Sequence, residues 1–414
     1  MRCIIYCCLL IFANLLLAQA PPSKLSDLEQ QLTTIEKEKA ELLHEIELAQ
    51  LALLHQDLVA NGLPKVHSDE TVIHHQAFSL VYSEAHEQAK WVAHVISPKI
   101  VNGSVTRTND FRIDPLVATE TAVEEDYFIR IEKDGQTEYD GFGWDRGHLA
   151  PSADFRWSKI ALSESYFYSN MSPQVPAFNR DSWAKVENLL RAYVYAQEVP
   201  LYVVTGGLLT EDLSVIERSI NKVSIPNYFW KVAVDLQNKK GIAFLLPNAK
   251  ADYPTEYCVK SIDEIEQLTG IDFYASLEDE LEKSLESQKI ASDWIIEVAK
   301  GDVPPLDYSL MPAKHFNTVM GSRQIGKKKG VHICGKVVRS RTTRKGNVMF
   351  NLDKAYPNEI FNVFIKKDDL IHFENNPIAT YTNQEICAFG EVGKIGRTPT
   401  VYVADGKKIK LFLP

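Results

Sequence analysis

The sequence predicts a mixed α+β fold, arranged as several units along 414 residues. Three observations support this prediction. Residues 24–62 have the periodicity of one long helix, residues 70–275 alternate strand-like runs with helices, and residues 331–414 contain five short strand-like runs. Such alternation is typical of a body in which helices cover mixed sheet layers. We therefore expect an α+β body with a helix before it and a small all-β unit after it.

Residues 4–17 form an apolar run that follows Arg2 and precedes Ala18-Gln19-Ala20. This pattern is typical of a secretory signal peptide at residues 1–20, and the run is too short for a membrane span. We expect the protein to be secreted or periplasmic, without a stable membrane span. Cleavage after Ala20 would leave Pro21 first, which signal peptidases disfavour, so a nearby cut or an uncleaved anchor are alternatives.

Residues 24–62 read as a helix with a heptad pattern. Ser26 and Glu29 form a capping box, and Asn61-Gly62-Leu63-Pro64 ends the helix. One core position of the heptad holds Leu25, Leu32, Lys39, Ile46 and Leu53, and the other holds Leu28, Ile35, Leu42, Ala49 and Gln56. One interpretation is a coiled coil that forms a homo-oligomer. The other is an amphipathic helix that lies on the α+β body.

The most informative motif is DRGHLAP at residues 145–151. The His148 imidazole, with an ordinary pKa of about 6.5, can take a proton from water near neutral pH, and the Arg146 guanidinium matches phosphate oxygens. We expect Gly147 to let the backbone turn sharply and Pro151 to end the local structure. The motif predicts phosphodiester chemistry; the alternative is a turn capped by Asp145 with a buried histidine.

A second group of polar residues follows the motif. Asn170 and Gln174 come first, and Asn179 stands near the start of a helix predicted for residues 182–196. Glu187 is eight residues further on, about two helical turns, so both side chains can share one side. An amide oxygen with one nearby carboxylate suits magnesium, which keeps most of its waters. The absence of a carboxylate cluster near the motif favours one metal ion over two.

These motifs resemble those of the DNA/RNA non-specific endonucleases, the ββα-metal (His-Me finger) nucleases. The resemblance covers residues 70–275, and Trp144 departs from it, because the family more often has tyrosine there. Further matches are Trp91-Val92-Ala93, Asp114-Pro115, Val203 to Gly207, Ile225-Pro226, Trp230-Lys231, and Asp263 to Ile271. The resemblance implies a ββα-metal fold and DNA and RNA as substrates.

The resemblance also assigns roles to individual residues. It implies that His148 is the general base, that Asn179 is the direct ligand of Mg²⁺, with Mn²⁺ as a possible substitute, and that Glu187 holds a metal-bound water. Arg146 would contact the scissile phosphate, and Asn170 would shape the site.

The family has one more catalytic arginine, before its Asp-Pro dipeptide. Arg107 and Arg112 both stand near that position, and Arg107 is preferred. Two other functions stay open: a nucleic-acid-binding module with weak catalysis, and a hydrolase of small phosphodiesters or nucleotides on the same fold.

The whole chain has a net charge of −10, but its C-terminal part contains a strongly basic stretch. Residues 276–330 read as an acidic helix followed by a basic linker, and residues 331–414 as an OB-like β-barrel. Ten basic residues and no acidic residue lie between Ala313 and Gly346. This run predicts phosphate contacts, and a solvated linker is the alternative. The residues predicted to bind substrate are Lys327, Lys328, Lys329, Arg339, Arg341 and Arg344.

Three cysteines follow the predicted signal peptide. Cys334 and Cys387 fall in the same predicted unit, so a disulfide between them is one interpretation. The other is that these two and Cys258 are all buried thiols.

Overall fold

The structure, a computed structural model, describes residues 22–103, 105–134, 136–250, 255–295, 301–327, 329–343 and 345–412. The predicted signal peptide at residues 1–20 lies outside this part of the chain, as do Lys328 and Arg344. The chain divides into two units, residues 1–53 and residues 54–414. Within the described residues, no helix combines the length and the apolar character that crossing a bilayer requires.

Helix α1 spans Pro22–Asn61, as the heptad pattern predicts. It begins before Ser26, so the expectation that Ser26 and Glu29 cap its start is wrong. A proline fits the first turn of a helix, because its missing N–H would have no partner there. The heptad leucines are exposed, Leu32 by 56% and Leu42 by 57%. The coiled-coil interpretation of this stripe stays a prediction.

Seven antiparallel strands form the central sheet, in the order β1-β2-β3-β8-β9-β10-β11. Their bounds are Val72–His74 (β1), Phe78–Ser83 (β2), Gln88–Ile96 (β3), Leu201–Gly207 (β8), Tyr228–Asp235 (β9), Lys240–Pro247 (β10) and Val259–Lys260 (β11). The predicted β-branched and aromatic runs at residues 201–205, 232–234 and 241–246 are therefore strands of one sheet.

Four strands in two small sheets and six further α-helices belong to the described fold outside the two large sheets. The strands are Phe128–Lys133 (β4), Gln136–Gly141 (β5), Asp145–His148 (β6) and Met171–Gln174 (β7), and each consecutive pair forms a two-stranded sheet. The helices are Lys159–Glu164 (α2), Ala184–Gln197 (α3), Ile262–Thr269 (α4), Asp279–Glu286 (α5), Thr318–Gly321 (α6) and Pro377–Tyr381 (α7). The mixed α+β class is confirmed.

The two faces of the central sheet are buried against different partners. Val204, Trp230 and Val232 belong to an apolar core that also contains residues of α4 and α5. Successive side chains of a strand point to opposite faces, so Thr205 and Lys231 lie on the other face, where both are buried. The second face therefore carries polar groups, and the DRGH segment packs there.

The helix predicted for residues 182–196 is present as α3, but helical turns begin earlier than expected. Residues Phe178–Trp183 form a π-helix that continues into α3. Asn179, which we expected beside the start of the helix, therefore lies within its first turn. Such π-helical turns inside α-helices are frequent at functional sites.

The C-terminal residues form a second seven-stranded sheet, in the order β12-β13-β14-β15-β17-β16-β18. Its strands are His315–Asn317 (β12), Val331–Thr342 (β13), Val348–Leu352 (β14), Phe361–Ile365 (β15), Glu385–Ile395 (β16), Thr398–Tyr402 (β17) and Ile409–Leu411 (β18). β13 also pairs with β16, which closes a ring of pairings. All five predicted strand runs are present as β13 to β17, whereas the likeness to an OB fold stays a prediction.

A disulfide joins Cys334 to Cys387. The two residues lie directly opposite each other on β13 and β16. This confirms the first interpretation of the cysteines, and Cys258 is buried outside the disulfide.

Candidate active site

The DRGH motif forms strand β6, which pairs with β7 so that Asp145 faces Gln174 and His148 faces Met171. Gly147 is extended within this strand, so the expectation of a sharp turn is wrong. The reason for glycine is steric, because an added Cβ would lie 2.1 Å from Cδ of Gln174. The motif is therefore packed tightly against its partner strand.

Asn170 holds the backbone that follows β6. Its side chain accepts a hydrogen bond from the Ala150 N–H at 2.9 Å and donates to the carbonyls of Ala150 at 2.9 Å and Ser165 at 2.8 Å. Asn170 is fully buried. It thus fixes the segment two residues beyond His148, which agrees with a role in shaping the site rather than in touching substrate.

The His148 imidazole lies between two aromatic rings, with centroid distances of 5.9 Å to Phe111 and 5.0 Å to Tyr166. Its Nε2 is buried and has no hydrogen-bond partner among the described residues. Burial, followed by the charges of Arg107 and Arg146, lowers the pKa of His148 to about 3. The imidazole is therefore neutral at pH 7 and can accept a proton.

Arg146 lies flat against aromatic rings beside His148. Its guanidinium carbon is 3.6 Å from the centroid of Phe111 and 4.9 Å from that of Phe128. It donates to the Tyr168 hydroxyl at 3.2 Å, and the nearest Glu124 oxygen is 3.8 Å away. A guanidinium held in this way keeps a fixed direction, as recognition of a phosphate requires.

The two candidate upstream arginines have different surroundings. Arg112 donates to the Ser163 carbonyl at 2.9 Å and stacks on Phe167 at 4.1 Å. Arg107 donates from Nε to the Asn109 side chain at 2.7 Å, and its charge acts on His148. The geometry therefore favours Arg107, and its catalytic role stays a prediction.

Asp145 orients the predicted metal ligand. The Asn179 amide nitrogen donates to the Asp145 carboxylate at 2.9 Å, and Arg180 binds the same carboxylate through two nitrogens, at 2.8 and 2.6 Å. The carbonyl oxygen of Asn179 has no hydrogen-bond partner within the described residues. A hard cation prefers an oxygen ligand of this kind, so the site fits the predicted ion.

Glu187 belongs to a buried network of charges. Burial raises its pKa, against the opposing charges of Arg191 and Lys231. Arg191 lies 3.7 Å from the Glu187 carboxylate and donates to Asp154 at 2.7 Å, and Asp154 in turn bonds to His94 at 2.9 Å. Paired charges of this kind fix the direction of the Glu187 side chain.

Lys231 lies between the DRGH segment and the π-helix that carries Asn179. Its ammonium group donates to the carbonyl of Leu149, next to His148, at 3.3 Å, and lies 5.1 Å from the Trp183 ring in the π-helix. Burial lowers the pKa of Lys231 to about 8, although Glu187 opposes this change.

We assigned no function to Lys231 or Arg191 from the sequence. Lys231 is a lysine within the otherwise apolar run 229–234, which could have indicated a special role. Arg191 is four residues after Glu187, a spacing that allows an ion pair on a helix. Both signals are weak without the long-range contacts.

The predicted substrate-binding residues occupy two regions. Lys327 donates to the Gln324 side chain at 2.9 Å, and Lys329 is exposed in the loop before β13. Arg339 on β13 instead contacts the body, 4.9 Å from the Tyr195 ring, and Arg341 lies on the same strand. The basic run is thus divided between a loop and a strand.

One group of three carboxylates in the described part of the chain could hold a cation, with ligand atoms within 4.8 Å of one another. It consists of Asp263, Glu266 and Glu286, on α4 and α5. These helices pack on the sheet face opposite Lys231, so the group is separate from the DRGH motif.

The model of the DNA/RNA non-specific endonuclease family matches residues 54–280, which is more than half of the chain. The chain therefore belongs to this family and is a hydrolytic nuclease. It is similar to the mitochondrial endonuclease G of Bos taurus, with 28% identity over 236 residues, 53% of this chain and 74% of that protein. The nuclease of Nostoc sp. shares 29% identity over 238 residues, 54% of this chain and 80% of that protein. The nuclease of Serratia marcescens shares 28% identity over 245 residues, 56% of this chain and 85% of that protein.

Proposed function

We propose that this protein is a magnesium-dependent endonuclease that hydrolyses phosphodiester bonds of both DNA and RNA. The observation that carries this proposal is the buried, unpartnered Nε2 of His148 beside two arginines. A buried nitrogen without a partner is unfavourable, so the site favours a water or phosphate group that supplies one. The similar nucleases of other organisms support the same reaction class.

In the proposed mechanism, neutral His148 accepts a proton from the attacking water. Arg146 and Arg107 bind the phosphate oxygens and stabilise the negative charge that develops on them. The same two charges depress the pKa of His148 in the free protein. A bound phosphate neutralises them, so substrate binding itself raises the basicity of the imidazole.

Asn179 would hold the magnesium ion through its carbonyl oxygen, and Glu187 would accept hydrogen bonds from the waters around it. When bound, the ion supplies positive charge for the phosphate and for the leaving oxygen. The Asn179 amide nitrogen donates to the Asp145 carboxylate. The amide oxygen of Asn179 therefore points away from that carboxylate and towards the proposed ion.

The direct test uses the purified protein with plasmid DNA, RNA and bis(4-nitrophenyl) phosphate, each with magnesium and with EDTA. Endonuclease activity predicts cleavage of both polymers that EDTA abolishes. Cleavage of the small diester alone would instead identify a small phosphodiesterase, and binding without cleavage would identify a binding module. His148→Ala should lower the rate about 10² to 10⁴-fold.

We also infer that the protein is secreted or periplasmic and that residues 1–20 are removed. The disulfide between Cys334 and Cys387 supports an oxidising compartment. Cell fractionation with N-terminal sequencing of the mature protein tests this; a cytoplasmic protein that keeps Met1 would contradict it.

The exposed heptad leucines of α1 support homo-oligomerisation through this helix. Light scattering after gel filtration should give an oligomer for the wild type and a monomer for the double variant Leu32→Glu, Leu42→Glu. A monomeric wild type would refute the coiled coil.

A further inference from the structure

A cavity of about 470 Å³ opens between helix α3 of the nuclease body and the C-terminal sheet. Its lining contains five arginines from both sides. The body contributes Arg156, Arg191 and Tyr195, and the C-terminal sheet contributes Arg339, Arg341 and Arg397. We call this cavity the arginine cleft.

Positive charge exceeds negative charge in this lining. Within the described residues, Arg156, Arg339, Arg341 and Arg397 form no ion pair within 4 Å, whereas Arg191 is paired with buried acids. Glu359 is the carboxylate that the described lining contains, and burial raises its pKa against the charges of Arg341 and Arg339. Five guanidinium groups with one carboxylate favour an anion in the cleft.

The cleft adjoins the candidate active site along α3. Arg191 lines the cleft and lies 3.7 Å from Glu187, and Asn188, also in the lining, accepts a hydrogen bond from Arg191 at 3.0 Å. Tyr195 is eight residues beyond Glu187, about 12 Å along the helix.

The lining also indicates which part of a nucleic acid would be bound. The Tyr195 ring forms an edge contact with Tyr356 at 4.9 Å and lies 4.9 Å from the Arg339 guanidinium, so protein groups already engage it. Guanidinium groups and amides remain as the exposed partners, and these bind phosphates without regard to base or sugar.

We propose that the arginine cleft binds the phosphodiester backbone of the substrate strand on one side of the scissile bond. The inference deepens the proposed function and rests on it for the identity of the strand. The C-terminal sheet thus holds substrate jointly with the nuclease body.

Binding is measured without catalysis, in the His148→Ala protein with EDTA, from the anisotropy of a fluorescein-labelled 20-nucleotide DNA or RNA strand. The test variant combines Arg156→Gln with Arg397→Gln, and the charge-matched control combines Lys283→Gln with Lys410→Gln, which are exposed, outside the cleft and outside the basic run. Thermal unfolding verifies that each variant folds.

The test variant should raise Kd about tenfold for DNA and RNA alike, and should reduce the log–log salt slope by about 1.4, or 0.7 for each lost contact with a single strand. An unchanged Kd, or an equal loss in the control variant, would overturn the proposal. Inorganic phosphate is also added at a concentration equal to that of the strand's phosphate groups, at constant ionic strength. If it displaces the strand, the cleft is a site for simple anions and the proposal is overturned.

Wild-type cleavage of plasmid, measured separately, reports the proposed function alone. A protein that cleaves nothing but still loses binding in the test variant would refute the nuclease mechanism and support the cleft. If the wild type cleaves normally and the test variant binds as tightly as its parent protein, the nuclease mechanism is supported and the cleft proposal is refuted.

Discussion

His148 should make the folding stability of the nuclease body depend on pH. In the folded protein, burial and two neighbouring arginines lower its pKa to about 3, whereas an unfolded chain has a value of about 6.5. Between these pH values the unfolded state binds more protons. Stability is therefore fully present above pH 6.5 and is lost as the pH falls towards 3.

The size of this effect at pH 5 follows from the two pKa values. The pH is then about 1.5 below the unfolded value and still well above the folded value, and each pH unit costs about 1.4 kcal/mol. We therefore expect His148 to lower the free energy of unfolding by about 2 kcal/mol between pH 7 and pH 5.

Urea unfolding at pH 7 and pH 5, in EDTA, measures the effect in the wild type and in His148→Gln, which cannot titrate. The wild type should lose about 2 kcal/mol more than this variant over the same interval. His44→Gln, which removes an exposed histidine of α1, is the control and should behave as the wild type. Equal pH dependence in the wild type and His148→Gln would refute the reasoning.

Four further predictions concern individual polar side chains. Asn170→Ala leaves three backbone groups unpaired and should cost about 3 kcal/mol in thermal unfolding; a loss below 1 kcal/mol would contradict this. Asn179→Ala should abolish cleavage that depends on magnesium, and a normal magnesium titration of activity would exclude it as ligand. Lys231→Met should move the acid limb of the pH–kcat/KM profile to higher pH, because the charge of Lys231 no longer lowers the pKa of Glu187. An unmoved limb would contradict a role of Glu187 in this limb. Burial and the charge of Glu266 raise the pKa of Glu286 to about 9, so this group destabilises the fold increasingly as the pH rises from 4.5 to 9 and remains destabilising above that. Glu286→Gln should therefore raise Tm at pH 8 more than at pH 5, and equal shifts would refute this.

The candidate site residues can be proposed from the sequence, because the motifs that contain them are local. The DRGH motif, Asn179 and Glu187 combine an imidazole, a guanidinium and oxygen ligands that phosphodiester hydrolysis needs. The strand runs of the central and C-terminal sheets are similarly visible, since β-branched and aromatic residues concentrate there. Both kinds of signal are contained in short stretches of chain.

The remaining features depend on residues that are distant in sequence. Gly147 is required by the Gln174 side chain on the partner strand, which no local rule reveals. Lys231 becomes part of the site only because β9 lies beneath Leu149. The arginine cleft needs the C-terminal sheet to meet α3, and the basic run alone does not distinguish Arg339 from Lys329.

The arrangement of charge explains how a protein with a net charge of −10 can act on a polyanion. The acidic side chains of α4 and α5 lie on one face of the central sheet, whereas Lys231 lies on the other, together with the DRGH segment. A sheet and the layer packed on it are about 10 Å apart, so the central sheet separates the acidic face from the DRGH segment. Coulomb energy falls with distance, so these acidic groups act on the segment more weakly than Arg107 and Arg146, whose charges act on His148. Net charge therefore predicts solubility and long-range steering of this protein, and the local field at the site decides substrate binding.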